Sequence, residues 1–211
     1  MHIRLVLGKV PGQSPEIRSG KRRQRQVATQ CVASLRRQWS APAQPEISVS
    51  HSRGWVMAGA SGSAAGRFGV DIEYADPARN WDGILEMLSG EPGRAHAPLH
   101  GAMIWTACEA VFKAVGHFPT QTGISDIAMG CEPNPNDRGR IVAQRCGPVL
   151  LLSVVLPVDR RFAVSVAIEC EPGSVDPNGA LIEMLAAPHD GEDCCSAFSI
   201  HIPSPARMPG E

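Results

Sequence analysis

The sequence predicts an α+β fold, and three observations carry that expectation. Residues 68–73 alternate, with Phe68, Val70 and Ile72 on one side and Gly69, Asp71 and Glu73 on the other, the period of two of a strand with one buried face. Ile104, Val111, Phe112 and Val115 supply an apolar side to a helix on which Trp105, Glu109 and Lys113, spaced four apart, form the opposite stripe. Val149–Leu156 and Arg161–Ile168 are short apolar runs joined across Pro157-Val158-Asp159-Arg160, which reads as a hairpin.

The remaining elements follow in order. Met1–Leu7 is too short, and too soon interrupted by Gly and Pro, for a secretory signal, and no run reaches transmembrane length. Between Arg18 and Arg37, Val27, Cys31 and Leu35 recur at four-residue spacing, which predicts an amphipathic helix preceded by a basic turn. Ser48–Val56 reads as a strand region with a turn at Arg53-Gly54, continuing to Ala60, and Ser61–Gly66 as a loop. Trp81–Leu88 and Gly101–Val115 read as helices, the second ended by Gly116. From Glu171 onward six Pro and four Gly interrupt scattered apolar residues. That predicts a weakly structured tail, 171–211, with at most a short helix near Ala180–Ala186.

Composition narrows the function classes. At 211 residues and 43% hydrophobic, the chain can bury one sizeable core or two small ones. Seven cysteines without C-x-x-C spacing, and no signal peptide, fit a reducing, cytoplasmic setting and no membrane partner. The net charge of −1 hides an asymmetry, with 19 basic and 14 acidic residues in 1–169 against one basic and seven acidic in 170–211. Lys21, Arg22, Arg23, Arg25 and Arg36 meet no acid in their own segment. No aromatic platform or recognition motif accompanies that cluster, so a solvated basic face is expected rather than nucleic acid.

Three segments carry the chemistry: Ser48-Val49-Ser50-His51-Ser52, then Gly69-Val70-Asp71-Ile72-Glu73, then Trp105-Thr106-Ala107-Cys108-Glu109-Ala110-Val111-Phe112-Lys113-Ala114-Val115-Gly116. Asp71 and Glu73 project from one strand face with Cβ atoms roughly 6–7 Å apart, close enough to repel unless a cation sits between them. Taken alone, Asp-Ile-Glu reads as an exposed strand face carrying two solvated acids. Gly69 leaves room for a ligand or another backbone. Glu109 and Lys113 have the order of a surface ion pair. Lysine is rare here, three against 17 arginines, and a compact ammonium suits a phosphate.

In this order and spacing the three segments resemble the 4′-phosphopantetheinyl transferases of the surfactin-synthetase-activating type. The likeness spans roughly residues 45–170. It implies a fold of two similar α+β halves about a pseudo-twofold, here 1–68 and 69–170, in a monomer. It implies Mg²⁺-dependent transfer of the phosphopantetheine arm of coenzyme A to a serine of an acyl or peptidyl carrier protein. Asp71, Glu73 and Glu109 would be the ligands of Mg²⁺ (or Mn²⁺), and Ser50, His51, Lys113, Arg22 and Arg23 would contact coenzyme A. Glu109, Lys113 and His51 would be the catalytic residues. Fatty-acid, polyketide and nonribosomal-peptide carriers all remain open as partners.

The chain departs from the family at Cys108, where a lysine is usual, and in lacking the Gly-Lys-Pro tripeptide that precedes the Ser-His-Ser motif. Cys108 has no obvious histidine partner and reads as a small, partly buried side chain rather than a nucleophile. The family's further glutamate has ambiguous counterparts in Glu86 and Glu91. The alternative function is a relative that binds coenzyme A or a carrier protein without transfer.

Overall fold

Alternation in 68–74 places Phe68, Val70, Ile72 and Tyr74 in an apolar core and turns Gly69, Asp71 and Glu73 the other way. The computed structural model describes residues 2–12, 21–39, 44–62, 66–90, 96–131, 141–156, 161–171, 174, 181–185 and 195–203. In chain order its elements are β1 (His2–Lys9), α1 (Lys21–Gln38), β2 (Glu46–Ser52), β3 (Trp55–Ser61), β4 (Phe68–Tyr74) and α2 (Trp81–Ser89). Then come α3 (Pro98–Val115), α4 (Gln121–Gly130), β5 (Val142–Cys146), β6 (Val149–Val155), β7 (Phe162–Glu169), β8 (Leu181–Leu185) and β9 (Cys195–His201).

The strands form two antiparallel sheets, ordered β2-β3-β1-β9-β8 and β4-β7-β6-β5. Apolar side chains from both sheets, among them Ile3, Leu5, Met57, Val70, Leu152, Phe162 and Ile200, share one core between them. The outer face of the five-stranded sheet is covered by α1 through Val27, Cys31 and Leu35. The outer face of the four-stranded sheet is covered by α3 and α4, on which α2 packs, with Ile104, Ala107, Cys108 and Val111 against Leu151, Ala163 and Ala167. The layers therefore run helix, sheet, sheet, helices, each apolar face meeting another.

Two local features bring the motifs together. The β2–β3 hairpin turns through Arg53 (φ 42°) and Gly54 (φ 82°), the positive φ pair of a two-residue type I′ turn. A Cβ on Gly69 would stand 2.2 Å from the Ala110 carbonyl oxygen and 2.8 Å from the Ala114 nitrogen. Of the two occupants expected at Gly69, the structure has a backbone, that of α3. The absent side chain lets α3 lie directly on β4, so the second and third motifs share one face.

The tail is the main correction. Leu181–Leu185 forms a strand where a short helix was expected, and Cys195–His201 pairs with β1 along its length, from His2↔His201 to Gly8↔Cys195. Ala197, Ile200 and Ile202 are buried, Ala197 under α1 and the two isoleucines between the sheets. The dense Pro and Gly around these strands masked their alternation. The first sheet is thus completed by residues that follow the second, and 1–68 alone does not account for it. Phe112, expected on the apolar side of α3, is 41% exposed and stacks on Phe118 instead. Strands β1 and β5 and helix α4 were not anticipated from the sequence.

Ile200 fills the inter-sheet core from this last strand. Ile200→Ala should lower stability by roughly 2–4 kcal/mol, read as a fall in the denaturant midpoint at unchanged slope. An unchanged midpoint would show that β9 does not belong to the cooperative fold.

Candidate active site

Strand β2 alternates Ser48, Ser50 and Ser52 with Val49 and His51, so its three hydroxyls point to one side. On that side lies β4, whose other edge is paired with β7. The Val70 N–H donates to Ser48 Oγ (3.1 Å), the Ile72 N–H to Ser50 Oγ (3.4 Å) and the Tyr74 N–H to Ser52 Oγ (3.1 Å). The same hydroxyls donate onward: Ser50 Oγ to Asp71 Oδ1 (2.6 Å) and Ser52 Oγ to Glu73 Oε1 (2.5 Å). A hydroxyl can accept and donate at once, so the Ser-x-Ser-x-Ser pattern joins the two sheets and orients both carboxylates.

Each carboxylate also has a cation of its own. Lys113 Nζ donates to Asp71 Oδ1 (2.7 Å) and to the Val70 carbonyl (3.0 Å). Lys113 therefore reaches across to β4 and does not make the helical pair with Glu109 that its spacing allows. Arg79 Nη1 donates to Glu73 Oε2 (2.9 Å), and its guanidinium lies 4.5 Å from the Trp81 ring centre and 5.2 Å from that of Trp105. Trp105 of the third motif thereby steadies the counter-ion of the second. Arg53 pairs with Asp76 from the strained left-handed position of its turn.

Asp71 is buried, with 5% of its surface exposed. Burial pushes its carboxyl up to about 6, against the pull of Lys113 and of the Ser50 hydroxyl toward the ionised form, and Glu73 adds to the rise. Cys108 is fully buried, not partly as the sequence suggested, and desolvation pushes its thiol up to about 12. It stays protonated at neutral pH and is no nucleophile. Its position faces the core beneath α3. Below α3 a hydroxyl chain runs from Ser153 through Ser165 to Thr106, in steps of 2.9 Å, and ends on the Met103 carbonyl.

Beside this seam lies a cleft of about 910 Å³ lined by Lys21, Gln24, Arg25 and Ala28 of α1, by His51, Ser52 and Arg53, and by Glu73, Asp76, Ala78 and Arg79. Four cationic side chains face two carboxylates there, so the cleft favours an anion, and its volume lies in the range of small-molecule sites. His51 and Glu73 thus line the cleft. Ser50, Asp71 and Lys113 stand behind it, tied together by hydrogen bonds. Glu109 is partly exposed on α3 and, among the described residues, has no side-chain partner. Arg22 and Arg23, expected to contact coenzyme A, are exposed and do not line the cleft. The helical period turns them away and brings Lys21 and Arg25 inward instead. Sequence reading missed Arg79, Asp76 and Arg53. For Asp76 and Arg79 the signal was the turn sequence Asp76-Pro77-Ala78-Arg79, in which Asp76 Oδ1 accepts from the Ala78 N–H at 3.0 Å. Glu91 and Arg18 lie outside the described residues, and Glu86 does not line the cleft.

Among the described residues no three His, Cys, Asp or Glu side chains converge to enclose a metal ion. The donor chemistry of Asp71 and Glu73 still suits Mg²⁺, which is ordinarily held by one or two carboxylates with water and substrate phosphate completing its shell.

The raised Asp71 carboxyl has a signed consequence. In the metal-free protein the folded state holds this proton up to about pH 6, whereas the unfolded chain releases it near 3.8. Asp71 therefore favours folding below that window and loses this contribution as pH rises through it. Against Asp71→Asn, which cannot titrate, the wild type should lose relative thermal stability between roughly pH 4 and pH 6. A difference in Tm that is flat across that range would contradict the assignment. No protein-family model matches this chain, and no curated protein is significantly similar to it.

Proposed function

We propose that the chain is a 4′-phosphopantetheinyl transferase that moves the phosphopantetheine arm of coenzyme A to a carrier-protein serine and releases 3′,5′-ADP. The observation that supports it most is the seam itself. The serines of the first motif bind the acidic strand of the second, beside a basic cleft lined by His51 and Glu73. The order and spacing of the three motifs add to it. On this reading Lys21, Arg25, Arg53 and His51 receive the phosphates of coenzyme A. Asp71 and Glu73 would hold Mg²⁺, with water and substrate phosphate completing its shell in place of a third carboxylate, and the ion when bound would polarise the pyrophosphate. Lys113, already at Asp71, neutralises charge gathering on the phosphate under attack. Glu109, which has no competing partner among the described residues, takes the proton from the carrier serine directly or through a water. The serine oxygen bonds to the β-phosphorus, the bond to the bridging pyrophosphate oxygen breaks, and 3′,5′-ADP leaves with the negative charge. Positioning and electrostatics supply most of the acceleration in such a displacement.

A second reading has a specific observation behind it. Position 108 faces the core, and Lys113 is engaged by Asp71 and Val70. A protein that binds coenzyme A or a carrier protein without transfer would carry the same cleft with no free cation at the reacting phosphate.

Purified protein, coenzyme A, Mg²⁺ and an apo carrier protein, followed by mass spectrometry of the carrier, separate the two. The transferase adds one phosphopantetheine. Asp71→Ala, Glu73→Ala, Glu109→Ala and Lys113→Ala should each lower that transfer, Lys113→Ala by on the order of 10²–10³. Lys113→Ala should also destabilise the fold, because it leaves the buried Asp71 carboxyl without its cation. Binding of coenzyme A with no mass gain would favour the second reading, and full activity in Lys113→Ala would remove Lys113 from the reaction.

A further inference from the structure

Glu73 presents no idle oxygen: Oε1 accepts from Ser52 Oγ (2.5 Å) and the Tyr74 N–H (3.0 Å), and Oε2 from Arg79 Nη1 (2.9 Å). The Ser52 and Tyr74 bonds belong to the seam and hold the carboxylate in place. The Arg79 bond belongs to a side chain that is 31% exposed and lines the cleft. A guanidinium keeps its charge at every accessible pH, so no proton loss removes it from Glu73. The Arg79 guanidinium carbon lies 4.5 Å from the Trp81 ring centre and 5.2 Å from that of Trp105, contacts separate from the Glu73 bond.

We propose that Arg79 is a built-in competitor for the divalent cation, a positioning residue that occupies Glu73 when no metal is bound and must give way for one to enter. The inference rests on the reading that Asp71 and Glu73 hold a divalent ion. A cation approaching Glu73 from the cleft meets Arg79 on Oε2, whereas the Ser52 and Tyr74 donors lie on Oε1, so displacing Arg79 leaves the seam intact. The competitor keeps the two adjacent carboxylates from repelling in the empty site and sets a threshold of metal affinity below which the site stays closed by its own charge.

Binding of Mn²⁺ to the intact protein without any substrate, followed by loss of the free-ion signal in electron paramagnetic resonance, tests this directly. Arg79→Met keeps an apolar stem between the tryptophans and brings no metal ligand, and it should tighten Mn²⁺ binding by about 3- to 10-fold. Arg53→Met removes the same charge from the same cleft, but its partner is Asp76, so it should change the affinity by less than about twofold. Arg79→Lys, which retains the charge and preserves folding should Arg79→Met fail to fold, should tighten binding less than Arg79→Met. Adding Glu73→Gln to Arg79→Met should abolish the gain. Equal or weaker binding in Arg79→Met, or an equal gain in Arg53→Met, overturns the competition while leaving the metal site standing. Absence of Mn²⁺ binding in both the wild type and Arg79→Met overturns the carboxylate metal site and this inference together.

Discussion

The rest of the structure hangs on three serine hydroxyls between β2 and β4. Both are outermost strands of their sheets, and β4 would otherwise direct the N–H groups of Val70 and Ile72 at no partner. Val70 and Ile72 are buried, and a buried donor left unpaired costs about 1–3 kcal/mol. The Ser48-Ser50-Ser52 row answers these donors where ordinary strand pairing is absent. Because Ser50 and Ser52 also donate to Asp71 and Glu73, the bonds that close the sandwich fix the carboxylates in the same stroke. Donation and acceptance through one hydroxyl polarise each other, so the seam is stronger than its separate bonds.

Charge at the site is organised in layers from that seam. Asp71, the deeper carboxylate, is met by Lys113 from α3, and this approach depends on the missing side chain at Gly69. Glu73, nearer the cleft, is met by Arg79, which is braced by aromatic rings from α2 and α3. Asp76, further out, is met by Arg53 from the β2–β3 turn. Each acid of this ladder therefore has one cation, and the surplus positive charge of Lys21 and Arg25 falls on the open side of the cleft. An anionic ligand entering there meets net attraction, and a divalent cation meets carboxylates already in use.

Much of the fold was legible because period-two and helical patterns are local. The alternation of 68–73, the apolar runs of β6 and β7 and the Val27-Cys31-Leu35 row each survive in the structure. The Arg53-Gly54 turn was legible too, since only a short list of residues accepts two positive φ values. Strand β9 was hidden by its Pro- and Gly-rich surroundings and by the fact that one of its two partners, β1, lies at the other end of the chain. At the site, the sequence showed which residues could act but not whom they would meet. Lys113 offered Glu109 at helical spacing and took Asp71 across the interface. Arg22 and Arg23 stood out by charge alone, whereas helical phase against the cleft selected Lys21 and Arg25.

The central claim, that serine hydroxyls stand in for strand pairing between β2 and β4, is tested most directly by amide hydrogen exchange at Val70. Ser48 binds that amide at 3.1 Å, and no hydrogen bond joins its hydroxyl to either carboxylate among the described residues. In the wild type the Val70 amide should be protected to nearly the extent of the β7 core amides. In Ser48→Ala its exchange should accelerate by about tenfold or more, with β7 unchanged. Equal protection of Val70 in the two proteins would contradict the seam.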